Sequence, residues 1–146
     1  MLEQNNSTIV ILDLQAAKAQ LAQRCQAIAQ KYHPEGVRFV RRKRLSGLAC
    51  YLERELHAPL PITRKSLYIY LHECAHFNLN HQTRKIPRHA QEMEAEQYAH
   101  RIMREEGLSV PRAMTERAKA YVRRKVRQAI RHGAKKIDPR VRRYLA

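Results

Sequence analysis

The sequence predicts an α+β fold, mostly helical, with a small antiparallel sheet ahead of its central histidine-bearing helix. Apolar residues recur at helical spacing in four stretches. Between Gly36 and about Ala58 the period changes to two, as in Val37 and Phe39 and then Ala49 and Tyr51, on either side of the turn-like Leu45-Ser46-Gly47. Prolines and glycines fall at the borders between these stretches.

Each element follows from its own residues. From 13 to 32, Leu14, Ala17, Leu21, Cys25, Ile28 and Tyr32 form one stripe of an amphipathic first helix. Two or three short antiparallel strands come next, and the basic run Arg41 to Arg44 at a strand end reads as a solvated turn. Pro59 and Pro61 end the sheet, and Thr63 can cap a helix over 63–81. A second helix over 88–106 carries Ala95, Tyr98, Ala99, Ile102 and Met103 on one face and stops at Gly107. Pro111 and Thr115 can start a last helix that buries Ala118, Tyr121, Val122, Val126, Ala129 and Ile130 and ends at Gly133. A chain of 146 residues suits one core, with 1–110 as the main domain and 111–146 as a basic helix and tail packed on it.

Composition narrows the function classes. Cys25, Cys50 and Cys74 are isolated and odd in number, so they form neither a disulfide framework nor a CxxC site, and a reducing compartment is expected. The apolar run Thr8–Leu14 is brief and preceded by Glu3, so neither a leader nor a membrane helix is expected and the cytoplasm is the predicted location. Net charge is +16, which points to phosphate-rich or anionic partners. The charge is polarised, because 111–146 holds thirteen Lys or Arg against Glu116 and Asp138.

The chemistry concentrates in LHECAH. His72 and His76 are one helical turn apart, so both imidazoles leave the same face and can grip one ion. Glu73 stands beside that face, where a carboxylate can take a proton from water that a zinc ion activates. Leu67, Ile69, Leu71, Phe77 and Leu79 set the motif in apolar surroundings, and Cys74 is expected to point away into the core. On the helix over 88–106, Glu92 lies about 60° from the centre of the apolar stripe, whereas Glu94 and Glu96 lie about 100° to either side. The short connection through Pro87 folds the two helices into a hairpin in which His76 and Glu92 meet at the same depth. Two histidines and a glutamate, with one position left for water, is the ligand count of a catalytic zinc.

LHECAH followed by EMEAEQYA resembles the ImmA/IrrE family of gluzincin metallopeptidases, in which HExxH precedes a helix reading roughly E-x-x-A-[N/D]-x-[F/Y]-A. Glu92, Ala95, Glu96, Tyr98 and Ala99 match that helix in order, over a resemblance covering about 13–106. It implies a zincin-like fold, zinc as cofactor, Glu92 as third ligand, and Glu96 in the place of the residue that supports a ligand histidine from behind. Ala75 and Glu96 depart from the usual Gly and Asn/Asp. His81, five residues after His76, lies about 140° round the helix and is set aside as a ligand. His89 and His100 are two positions from which an oxyanion could be steadied, although a solvent-facing histidine is the simpler reading of each.

Two functions remain. One is a regulatory zinc endopeptidase acting on a protein substrate, with Glu73 as its base. The other is a basic nucleic-acid-binding protein of a mobile element, with a structural or degenerate metal site and with Arg123, Arg124, Arg127 and Arg131 reaching phosphates.

Overall fold

The computed structural model describes residues 2–146 and their side chains, apart from those of residues 2–7 and 9, so Met1 and the Glu3 side chain lie outside the described residues. The chain runs α1 (Leu2–Tyr32), β1 (Arg38–Arg42), β2 (Leu48–Cys50), β3 (Glu55–Pro59), α2 (Arg64–Asn78), α3 (Arg88–Glu105) and α4 (Arg112–Arg131). A 3₁₀ turn (Pro139–Val141) and the short α5 (Arg142–Leu145) follow.

The sheet is mixed, not antiparallel as its period-two pattern suggests. Its order is β1-β3-β2, with β1 parallel to β3 and β2 antiparallel to it. Alternation identifies a strand and its faces but carries no direction. Burial explains the order, because β3 places Leu56 and Ala58 fully inside and so takes the centre. β1, with Arg38, Arg41 and Arg42, suits an edge, where charged side chains reach water. Lys43 and Arg44 are exposed in the following bend, as expected of a solvated turn, while Arg42 donates to the Ser46 hydroxyl at 3.2 Å.

α2 is the centre of the molecule. Every residue from Ser66 to Phe77 is buried, because α1, β2, β3 and α3 cover it on different sides. Its start is fixed by a capping box: Thr63 Oγ1 accepts from the Ser66 N–H, and Ser66 Oγ accepts from the Thr63 N–H. It ends sooner than the apolar pattern suggests. Asn80 takes a left-handed φ of 53°, its N–H bonds the Phe77 carbonyl, and the His81 N–H bonds the His76 carbonyl. Such a Schellman closure turns the chain sharply back over the last helical turn.

α1 is longer than predicted, and among its described side chains those that pack lie towards its end, from Leu21 onward. Cys25, Ile28 and Ala29 are buried, whereas Leu14 and Ala17 of the same stripe are exposed. Its end is tied to the end of α3, where Glu106 Oε1 accepts from Lys31 at 2.7 Å and from the Tyr32 hydroxyl at 2.8 Å. α4 packs along α3, burying Met114, Ala118, Val122 and Val126; Tyr121 and Ala129 are half-buried and Ile130 is exposed. Val141, from the terminal turn, joins Met93, Val122 and Val126 in a small second cluster. α3 is therefore enclosed by α2 on one side and by α4 with the terminal turn on another.

Candidate metal centre

Helix α2 delivers His72 and His76 on one face, and α3 lays Glu92 against them. His72 Nε2 is 3.1 Å from Glu92 Oε2 and 3.3 Å from His76 Nε2, and His76 Nε2 is 3.4 Å from the same carboxylate oxygen. Ligand atoms about 2.0–2.1 Å from a tetrahedral zinc stand roughly 3.3 Å from one another, so this triangle has the size of one face of such a site. These three residues form the group of donors able to hold a metal ion among the described residues. Two nitrogens and one carboxylate oxygen fit zinc by donor chemistry as well as by spacing.

Each donor is held from behind. The other oxygen of Glu92 accepts from Arg88 Nε at 3.1 Å, leaving Oε2 for the histidines. His72 Nδ1 lies 3.1 Å from Glu96 Oε1, off the N–H axis, and Tyr68 donates its hydroxyl hydrogen to Glu96 Oε2. His76 Nδ1 lies 2.9 Å from His81 Nδ1, and His81 Nε2 lies 3.1 Å from Glu94 Oε1. Arg84 donates to both oxygens of Glu94, at 2.7 and 3.2 Å, and Arg140 from the terminal turn pairs with Glu94 Oε2 at 3.0 Å.

The electrostatics suit a cation. Of the thirteen acids in this basic chain, Glu73, Glu92, Glu94 and Glu96 are buried together around the histidines. Burial works against the charge on Glu92, but the two histidines outweigh it and hold its carboxyl far below the usual range. Burial likewise opposes charge on His72, yet Glu96 and Glu92 outweigh it and hold its pKa well above the usual value. His76, where burial prevails, is lowered. The Glu73 carboxyl is pushed up to about 7, first by burial and then by Glu92 and Glu96, with His72 and Arg42 opposing. A divalent cation held there would offset the mutual repulsion of these carboxylates.

Glu73 faces a cleft of about 130 Å³ lined in part by Ser46, Gly47, His72, Arg117 and Tyr121. Gly47 covers the carboxylate so closely that a Cβ there would stand 2.6 Å from Glu73 Cγ and Oε1. Arg117 crosses from α4 to the Leu45 carbonyl at 2.9 Å, joining the helix to the loop over the cleft. The Tyr121 ring stands edge-on to His72, with centroids 6.3 Å apart. Burial and the nearby Glu92 push its phenol up to about 12, so it is a neutral hydroxyl.

The structure brings His72, His76 and Glu92 together, sets Glu73 beside them and Glu96 behind His72. It does not bring His100 to the cleft. Its Nδ1 is occupied by the Glu96 carbonyl at 2.8 Å and the Tyr68 hydroxyl at 3.0 Å, and its Nε2 by Thr115 Oγ1 at 3.1 Å. Nor does His89 face solvent: it is buried, and its Nε2 accepts from the Asp138 N–H at 3.1 Å. Cys74 is buried and is not among the donors, as its wheel position predicts. Of the four arginines, Arg123 is spent on the carbonyls of Tyr144 and Ala146, whereas Arg124, Arg127 and Arg131 lie exposed on the outer face of α4.

Gly47, Arg117 and Tyr121 were missed because they come from a loop and a helix distant in sequence. His81 and Glu94 carried signals that are visible afterwards. Asn80 is a residue type that tolerates the left-handed turn, and that turn places His81, which is no donor to the ion, against His76 Nδ1. Comparison with protein-family models, curated proteins and solved structures finds no match.

Proposed function

We propose that this chain is a zinc-dependent metallopeptidase with a zincin-like fold, related in its chemistry to the ImmA/IrrE type and acting as a regulatory endopeptidase on a protein substrate. The observation that carries the reading is the His72, His76 and Glu92 triangle, whose His72 lines one cleft together with the Glu73 carboxylate. Zinc held by His72, His76 and Glu92 would supply Lewis acidity and acidify a water to a pKa of about 7. Glu73 takes the proton from the attacking water and passes it to the leaving amine. Gly47 and Tyr121 shape the space in which a peptide carbonyl lies. Three free cysteines, Cys25, Cys50 and Cys74, support a cytoplasmic setting for this reading. No helix of the described residues is long and apolar enough to cross a membrane.

A second reading, a nucleic-acid-binding protein with a purely structural metal, draws on α4. Arg124, Arg127 and Arg131 are exposed there, and among the described residues none of the three is paired with an acid. The two readings also combine, since a basic face would bring a peptidase to proteins bound on nucleic acid.

The test is a peptide library incubated with zinc-loaded wild type and with Glu73→Gln, with new amino termini read by mass spectrometry. Wild type is expected to generate new termini, and the variant to generate none while holding the same zinc, because an amide cannot accept the proton. Equal cleavage by both refutes Glu73 as base. No cleavage by a zinc-loaded wild type favours the second reading.

A further inference from the structure

Beyond the three donors, the metal centre continues in a line of buried groups that no motif predicted. His76 Nδ1, His81 Nδ1, His81 Nε2 and Glu94 Oε1 follow one another at 2.9 Å and 3.1 Å across the two rings. The line ends on a carboxylate that Arg84 and Arg140 pair on both oxygens.

The direction of the hydrogen bonds follows from the ligand atom. His76 points Nε2 at His72 and Glu92, so a metal taken there leaves the His76 proton on Nδ1. That N–H needs an acceptor, and its neighbour is His81 Nδ1. Accepting there fixes the His81 proton on Nε2, where Glu94 Oε1 stands ready to accept it. Every donor in the line then has one acceptor. With the His76 proton on Nδ1, the other His81 tautomer would place two N–H groups against each other between the rings and a bare Nε2 against the Glu94 carboxylate.

The backbone enforces the geometry. The Schellman closure at Asn80 carries His81 back over the turn that holds His76, and His81 as a whole is only 2 % exposed. Arg140 reaches Glu94 from the terminal turn, so the carboxyl-terminal segment takes part in the arrangement.

We infer that His81 and Glu94 are positioning residues for the metal: through a directional relay they hold His76 in the tautomer and orientation that present Nε2 to the ion. The inference rests on the metal-binding reading of the site. A partner that orients a ligand histidine in this way typically changes metal affinity by about 10–100-fold. Glu96 serves His72 from the other side, so each ligand histidine has its own support.

The test compares zinc affinity, read by competition with a chromophoric chelator, for wild type, His81→Phe, His81→Asn and Glu94→Gln, alongside the thermal midpoints of the metal-free proteins. Phenylalanine keeps the ring volume and removes the acceptor; asparagine loses volume but places Oδ1 where Nδ1 stood. His81→Phe is expected to weaken zinc by about 10–100-fold, His81→Asn to recover most of that, and Glu94→Gln to fall at the low end of the range. The cobalt-substituted forms report the same order in their visible absorption. A packing role predicts the reverse, with phenylalanine the better substitute and affinity following the apo midpoint. Either that result or wild-type affinity in His81→Phe overturns the relay. A wild type that takes up no zinc removes the metal reading and the relay with it, whereas a metal-binding wild type with an unaffected His81→Phe removes the relay alone.

Discussion

The hairpin of α2 and α3 and the basic helix α4 use charged residues in opposite ways. In the hairpin, Glu73, Glu92, Glu94, Glu96, His72, His76 and His81 are buried, and the donors among them are held by further groups. On the outer face of α4, Arg124, Arg127 and Arg131 are exposed, with Arg124 lying over the Tyr121 ring at 5.0 Å. Burial forces the first set into one geometry, because an unpaired polar group inside a protein costs about 1–3 kcal/mol. Solvent imposes nothing comparable on the second. In the proposed reading the hairpin serves chemistry that depends on tenths of an ångström, and α4 would serve attraction that depends on charge and salt.

The largest effect that sharpens this contrast is expected at Gly47. A Cβ there meets Glu73 Cγ and Oε1 at 2.6 Å, so the Glu73 side chain has to move from its place in the cleft it lines. Gly47→Ala is expected to lower turnover by about 100-fold through displacement of Glu73 and to destabilise the fold by about 1–3 kcal/mol through overpacking. In a Glu73→Ala background the same change should cost little stability, since the atoms it meets are gone, and a double-mutant cycle of denaturation midpoints reads the difference. Additive losses would show that Gly47 and Glu73 do not touch.

A smaller and more uniform effect is expected on α4. Replacing Arg124, Arg127 and Arg131 with alanine should flatten the salt dependence of duplex DNA binding by roughly 0.9 in log K per log salt for each phosphate no longer neutralised. Zinc content should not change. Fluorescence anisotropy at several salt concentrations checks this, and an identical slope in wild type and variant would leave α4 a solvated face. Arg123 is left in place because it fastens the chain terminus.

The hairpin was legible in the sequence because helical periodicity fixes which side chains share a face, and a short connection fixes which faces meet. That is enough to bring His72, His76 and Glu92 together. The wheel put Glu92 innermost and Glu94 and Glu96 on the flanks of α3, and burial follows that order, but it did not show what covers those flanks. The terminal turn brings Arg140 onto one flank, and His72 and Tyr68 of α2 reach the other, so both carboxylates are enclosed. The donor group leaves out His81, as the wheel predicted, but its place behind His76 was not legible, because the helix ends at Asn78 and the angle the wheel measures no longer exists there. The direction of β1 against β3 and the approach of Gly47 to Glu73 depend on which segment crosses which, and alternation does not encode that. The outer face of α4 was legible only as a count of charges, and that is also how it would act.

The central claim is that the α2–α3 hairpin holds one catalytic metal. The most direct measurement is the metal content of protein purified without a metal-affinity tag, by mass spectrometry of the wild type, His76→Ala, Glu92→Ala and Glu96→Ala after dialysis against limiting zinc. The account predicts close to one zinc per chain in the wild type, nearly none in the first two variants, and an intermediate content in Glu96→Ala, where the ligand triangle survives and only the support of His72 is removed. Equal zinc in all four proteins, or none in the wild type, would contradict it.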